Sequence, residues 1–185
     1  TNNITWLGAL FNSVSARTAG FSTFNLSNFS NAGIIVMIVL MFIGASPGST
    51  GGGIKTSTFF VLLQGIKSAA VNRTEKAFHN AIPKDAFRKA SVITLLAAAV
   101  VAVGTWIMSA AEPAIPLRDI VFEVISAFGT VGLSTGITSG LGIPSKLLSI
   151  AIMFIGRLGP LTVATLWHFG RAERVSFPEG NISIG

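Results

Sequence analysis

The 185-residue sequence contains no cysteine, which excludes a disulfide framework, a thiolate metal site and a cysteine nucleophile, and leaves the redox compartment unmarked. Charged residues are scarce, at 11% of the chain against 50% hydrophobic. That balance is foreign to a soluble domain and makes lipid the solvent for most of the chain. The opening residues, Thr1 to Trp6, carry no basic n-region and no small-residue cleavage pattern. They do not read as a signal peptide, and the expectation is a chain that begins inside a longer one. Paired acids, histidine clusters and activated nucleophiles are missing from the long apolar stretches 92–111 and 147–167, which argues against an intramembrane enzyme. His79 and His168 have no companion at metal-ligand spacing and read as surface residues.

The formal net charge of +6 is not arranged for nucleic acid, which needs Lys and Arg gathered on one accessible face. The basic residues sort by membrane side instead. Lys67, Arg73, Lys76, Lys84, Arg88 and Lys89 share one hydrophilic connection, and Arg171 and Arg174 lie in the tail. The opposite connections hold Arg118 and Lys146 against Glu112, Asp119 and Glu123. The positive-inside rule makes the first set cytoplasmic and the second external.

Three apolar stretches approach or reach the ~20 residues that cross a bilayer. The first, Ala32 to Ala45, is interrupted and resumes from Thr58 to Val71; the second runs Val92 to Ala111 without a break; the third runs Leu147 to Trp167. Two shorter segments, Ile4 to Ala16 and Leu117 to Phe128, have the length of re-entrant helices. Each precedes a spanning stretch on its outer side.

The pattern also repeats. Thr18-Ala19-Gly20-Phe21-Ser22-Thr23 matches Thr130-Val131-Gly132-Leu133-Ser134-Thr135, and Met41-Phe42-Ile43-Gly44 matches Met153-Phe154-Ile155-Gly156 at the same offset. Upstream, Phe11 and Ser15-Ala16 match Phe122 and Ser126-Ala127 at an offset one residue shorter. Polar Thr, Ser and Gly positions carry the match, as expected of pores and transporters built by duplication. The fold class this implies is an all-α membrane protein with two parallel helix–pore-loop–helix pseudo-repeats, the first lacking its opening helix.

Irregular backbone at membrane depth must be buried in protein or line an aqueous cavity. A short helix aiming the negative end of its dipole at such a turn favours a cation there. Thr18, Ala19, Gly20 and Phe21, and again Thr130, Val131, Gly132 and Leu133, therefore read as carbonyl-lined filter turns, with Gly20 and Gly132 free to adopt conformations closed to a side chain. A second irregular segment, Ser46 to Thr56, holds Pro47, Gly48, Ser49, Thr50, Gly51, Gly52, Gly53 and Lys55, and should unwind within the membrane. It is no phosphate loop: Ile54 separates Gly53 from Lys55, and an apolar helix rather than a strand precedes it.

These motifs, Ser15 to Thr23, Ser46 to Thr56, Phe122 to Thr135 and Met153 to Pro160, together resemble the Trk/Ktr/HKT superfamily of K⁺ transporters, and most of all the membrane subunit of bacterial Ktr systems. The resemblance covers nearly the whole chain, including the ending Phe177 to Gly180. It implies four such repeats in one chain around a single pore, with this sequence matching the third and fourth. Gly20 and Gly132 would then be filter glycines, and the loop beneath them a gate. It further implies the N-terminal half of the same transporter as a partner, a homodimer of full-length subunits, and regulation by a cytoplasmic nucleotide-binding ring. The transported ion would be K⁺, with Na⁺ the second candidate, and no organic cofactor is expected. Localisation would be the cell membrane, multi-pass, with the C-terminal tail cytoplasmic.

Arg157 falls inside the last spanning stretch. A charge at bilayer centre costs ~2.5–3.5 kcal/mol on insertion scales, so it should face the bundle interior, as a barrier to cations, as a structural donor to carbonyls, or as both. The resemblance favours a bond from Arg157 to the glycine loop. Arg17 and Glu123 are expected to pair and brace the filter turns. The organisation that follows is residues 1–73 for the first repeat present, 74–90 for a cytoplasmic connection, 91–170 for the second repeat and 171–185 for the tail. A secondary transporter of a small solute, which also uses broken helices, is the alternative; it favours inverted repeats, whereas these are direct.

The charge sorting is testable in the full-length protein on a cysteine-free background. A cysteine replacing Ala77 should react with an impermeant thiol reagent only after the membrane is opened; labelling from outside intact cells would reverse the topology.

Overall fold

The computed structural model describes residues 5–71, 76–77, 80–81, 83–160 and 162. The side chains of Arg73, Lys76, Lys84, His79, His168, Arg171 and Arg174, and the 171–185 tail, lie outside the described residues. Six α-helices follow in order: α1 Trp6–Ser15, α2 Asn31–Phe42, α3 Thr56–Val71, α4 Lys84–Ala111, α5 Leu117–Phe128 and α6 Ile143–Leu158. Between α3 and α4 the chain adds one element that an all-α expectation omits, a two-stranded antiparallel pair of β1 Lys76–Ala77 with β2 Asn80–Ala81.

Local chemistry marks the helix starts. The Thr5 hydroxyl accepts from the Gly8 N–H at 3.2 Å and opens α1, and the Ser30 hydroxyl does the same for α2 through Gly33 at 3.2 Å. Prolines 83 and 116 stand immediately before α4 and α5, and Pro144 lies in the first turn of α6, where a missing N–H costs nothing. The α6 N-terminus is capped from a distance. Glu112, at the end of α4, accepts from the Gly142 N–H at 2.7 Å and the Ser145 hydroxyl at 2.9 Å.

Among the described residues one helix is long and apolar enough to cross a membrane, Asp85–Ala111 within α4. The whole of α4 is 28 residues, about 42 Å at ~1.5 Å per residue, which exceeds a ~30 Å hydrocarbon core. It begins at Lys84, so part of the 74–90 connection is already helical. The third apolar stretch differs from expectation. Rather than running unbroken to Trp167, α6 stops at Leu158, because Gly159 adopts φ +90° and Pro160 follows without an N–H to donate. Residues 163–167 lie outside the described residues.

Helix α5 is the hub. It packs against α2, α4 and α6, and every side chain from Phe122 to Phe128 is buried. One apolar cluster joins Ile34, Met37 and Met41 of α2 to Phe122 and Ile125 of α5 and to Val131 and Leu133 of the turn beyond it. A second joins Ala97 and Met108 of α4, Ile120, Val124 and Phe128 of α5, and Ile152 of α6. Outward faces stay apolar: Trp6, Leu7 and Val14 on α1, Leu95 and Trp106 on α4, and Leu147 and Phe154 on α6 are all exposed. Apolar exposure on this scale marks surfaces meant for lipid or for further protein.

Two glycines allow closest approach around α5. A Cβ at Gly156 would lie 1.9 Å from the Phe128 carbonyl oxygen, and one at Gly129 would lie 2.7 Å from the Met41 oxygen. Both neighbours are backbone and cannot turn aside, so any side chain there would push α6 or α2 away from the end of α5.

The Glu112 cap generates a pH test. Hydrogen bonds from Gly142 and Ser145, aided by the charge of Lys146, hold its carboxyl below the ordinary carboxylate range. With the folded value depressed, its contribution is complete above the unfolded value and is lost as pH falls through the folded one. The full-length protein should therefore melt above its Glu112→Ala variant at neutral pH, and the gap should close as acidification passes below the ordinary carboxylate range. A pH-independent gap would assign the effect to packing.

Candidate ion-binding turns and glycine loop

Each short helix ends in a tight turn, and several of the turn's N–H groups fold back onto the helix. After α1, the N–H groups of Ala19 and Gly20 both reach the Ser15 oxygen, at 3.0 and 3.3 Å. After α5, the Gly129, Thr130 and Val131 N–H groups bond to the oxygens of Ile125, Ala127 and Ser126 at 2.8, 3.0 and 2.9 Å. Both turns carry a left-handed threonine, Thr18 at φ +72° and Thr130 at φ +51°, and two residues later a left-handed glycine, Gly20 at +78° and Gly132 at +90°. A β-branched residue at positive φ is a genuine outlier, costing of order 1–3 kcal/mol unless its surroundings hold it.

The N–H groups of Thr18, Phe21, Gly132 and Leu133 make no hydrogen bond among the described residues, and most of the carbonyls are likewise unbonded. The carbonyls of Thr18, Ala19, Gly20, Thr130, Val131, Gly132 and Leu133 receive no hydrogen bond from any described residue. The Phe21 carbonyl differs, since the Ser15 hydroxyl donates to it. In the second turn the side chains of Val131 and Leu133 are buried while Gly132 is exposed, so the side chains anchor the strand and the backbone is presented. In the first turn Ala19 and Phe21 are exposed. The two turns touch back to back: a Cβ on Gly20 would lie 2.4 Å from the Val131 oxygen, and one on Gly132 would lie 3.6 Å from the Gly20 Cα. Asn12, buried on α1, fixes the exit of the first turn by donating to Thr23 Oγ1 at 3.3 Å and accepting from the Ser22 hydroxyl at 3.2 Å.

The glycine loop lies against these turns. It leaves α2 and returns to α3 through a short parallel bridge of Ile43 with Ile54, in which the Gly44 N–H reaches the Ile54 oxygen at 2.8 Å and the Ile54 N–H reaches the Phe42 oxygen at 3.1 Å. Gly48, Ser49 and Thr50 are exposed at its tip, whereas Gly51, Gly52 and Gly53 are buried. A Cβ on Gly51 would meet the Thr18 side chain at 3.0 Å, and one on Gly52 would meet the Thr130 side chain at 2.9 Å and the Phe128 oxygen at 3.0 Å. The Gly52 N–H donates to Thr130 Oγ1 at 2.9 Å, and Lys55 Nζ donates to the Gly51 carbonyl at 2.5 Å. Gly53, at φ +74°, turns the chain back towards α3.

Two expected pairings are not formed. Arg17 does not meet Glu123: its guanidinium donates to the Ile43 carbonyl at 2.6 Å and more weakly to that of Gly44 at 3.5 Å, where α2 gives way to the loop. Glu123 instead accepts from the Thr138 hydroxyl, itself 2.7 Å from Ser134 Oγ, and its second oxygen is buried with no partner among the described residues. The reason lies in the rotation of α5, which turns Glu123 towards the segment following the second turn. Arg157 does not bond to the loop either; it is exposed and makes no hydrogen bond or ion pair among the described residues. It nevertheless lies at loop depth, because its neighbour Gly156 and the loop residue Gly52 both adjoin the Phe128 carbonyl.

Sequence reasoning missed Gly44 and Gly156 as contact residues. A Cβ on Gly44 would lie 2.1 Å from the Gly52 oxygen, so both glycines of the repeated Met-Phe-Ile-Gly motif are sites of close backbone approach. Their repetition was the available signal.

Comparison with known proteins agrees with this architecture. The chain is 37% identical over 181 residues to the Ktr system potassium uptake protein B of Vibrio alginolyticus, covering 97% of this chain and 40% of that protein. It is 39% identical to the Ktr system potassium uptake protein D of Bacillus subtilis and 38% identical to the potassium/sodium uptake protein NtpJ of Enterococcus hirae, over 96% and 95% of this chain and 40% of each relative. It thus spans about two fifths of the length of these curated relatives. The crystal structure of the potassium transporter TrkH from Vibrio parahaemolyticus shares the fold at a TM-score of 0.72 and 24% identity, over 86% of this chain and 36% of that one. Residues 2–171 match the family described as TrkH, cation transport protein, and the chain belongs to that family.

Proposed function

We propose that this chain supplies two of the repeats lining a gated K⁺-uptake pore in the cell membrane, with Na⁺ the second candidate ion. The observation that carries the reading is the pair of touching turns, Thr18 to Phe21 and Thr130 to Leu133, in which every carbonyl but that of Phe21 receives no hydrogen bond from a described residue. Unbonded carbonyls at membrane depth are costly unless they meet water or a cation, and a dehydrating cation gains what they offer. The helix dipoles of α1 and α5 point their negative ends at the same place. Ion identity follows from the relatives, named for potassium or potassium and sodium uptake.

In this reading residues 1–73 and 91–170 are parallel pseudo-repeats, joined by a cytoplasmic connection at 74–90 and followed by a cytoplasmic tail at 171–185. Thr18 to Phe21 and Thr130 to Leu133 form half of the filter, and the N-terminal half of the same transporter completes it. Ser46 to Thr56 is the gate beneath. Arg157 acts as a positive barrier at loop depth rather than as a hydrogen-bond partner of the loop. The homodimer of full-length subunits and the cytoplasmic nucleotide-binding ring implied by the resemblance complete the assembly.

Gly132→Ser in the full-length protein tests the filter. A side chain at φ +90° strains the turn beside Gly20, so discrimination between K⁺ and Na⁺ uptake should fall. Unchanged uptake of both ions would sink the filter reading.

The gate is tested separately. Arg157→Ala, and deletion of Gly51 to Gly53, should each raise the maximal K⁺ uptake rate, and the combination should add little because both relieve one barrier. Unchanged flux in the Arg157→Ala protein, present at normal amount, would make Arg157 structural.

A further inference from the structure

We infer that Thr130 and Arg17 are positioning residues that latch the glycine loop to the two turns, so that loop release requires breaking one hydrogen bond at each turn. The inference rests on the loop being the gate, and goes beyond it by naming what holds the gate. Thr130 occupies two roles at once. Its backbone carries an unbonded carbonyl in the second turn, and its hydroxyl accepts the Gly52 N–H at 2.9 Å from the middle of the loop. That N–H is buried and would otherwise lack a partner, since Gly52 lies outside any helix and its neighbours are Thr130 and the Phe128 carbonyl.

The first turn uses different chemistry. The Thr18 hydroxyl donates to the Arg17 carbonyl at 2.6 Å, and its side chain only packs on Gly51. Arg17, one residue earlier, reaches across instead and holds the Ile43 carbonyl at 2.6 Å. Ile43 is where the loop departs from α2, and its bridge to Ile54 ties the departure point to the return point. The two contacts therefore grip the loop at its base and at its middle, and leave the exposed tip, Gly48 to Thr50, ungripped. A charged donor on a carbonyl and a hydroxyl accepting a buried N–H are each lost entirely, rather than weakened, when the loop moves away.

The geometry also explains the glycines. A side chain on Gly51 or Gly52 would strike Thr18 or Thr130 and hold the loop off the turns. Glycine there serves contact more than flexibility.

The test uses the full-length protein in vesicles, with a spin label on a cysteine replacing Ser49, at the loop tip. Thr130→Val removes the acceptor and keeps the shape, and should increase label mobility and raise K⁺ uptake about two- to tenfold, the effect of one net hydrogen bond on an equilibrium. Thr130→Ser should restore both to the parental level. Arg17→Gln should mobilise the label independently of any change at Thr130. Unchanged mobility in both Thr130→Val and Arg17→Gln overturns the latch, as does a Thr130→Ser protein that behaves like Thr130→Val. A mobile label with unaltered uptake leaves the latch standing and refutes the loop as gate.

Discussion

Inside a bilayer a backbone N–H or C=O has no water to return to, and most of this architecture is the consequence of breaking helices there regardless. The chain is irregular at three places around the end of α5: the turn after α1, the turn after α5, and the loop between α2 and α3. At each, part of the donors is bonded within the protein. The N–H groups of Ala19, Gly20, Thr130 and Val131 fold back on helix carbonyls, the loop's Gly52 N–H goes to Thr130, and the bridge at Ile43 and Ile54 closes the ends of the loop. All the turn carbonyls but that of Phe21 are left over, and leftover carbonyls are what a cation can use in place of water.

The three irregular segments could not satisfy one another unless they touched, and glycine makes the contact possible. Gly44, Gly52, Gly129 and Gly156 each bring backbone against backbone or against a threonine at distances where a Cβ would not fit. Around this junction the apolar side chains of α2, α4, α5 and α6 form two clusters that share α5 as a common wall. Burial of α5 on nearly every side thus fixes both turns and the loop relative to one element. The Phe42 and Phe128 rings, 6.0 Å apart, close the same junction from the apolar side.

The two turns resemble each other in backbone and differ in wiring. Both place a threonine and a glycine in the left-handed region. Thr130 spends its hydroxyl on the loop, whereas Thr18 turns its own inward and leaves the reach to Arg17. Val131 and Leu133 are sunk into the core, while Ala19 and Phe21 face outward beside an α1 whose apolar surface is exposed. Such an exposed apolar face marks a surface for lipid or for further protein.

Much of this was legible in the residues. The short apolar segment Leu117 to Phe128 became α5 with the same bounds, the run of Pro47 and four glycines became the helix break, and the two Thr-x-Gly motifs became the left-handed turns. These are local matters: apolar length, a missing donor and a missing Cβ act within a few residues of where they stand. Partnerships between distant residues were not legible. Arg17 holds Ile43 instead of Glu123, Arg157 shares the loop's depth without touching it, and Glu112 caps a helix thirty positions away. Composition and spacing pointed to lipid as the surroundings and showed where the helices break. Only the packing of α5 decided which side chain meets which carbonyl, because the rotation of a helix about its axis is set by all its neighbours at once and is written in none of them singly.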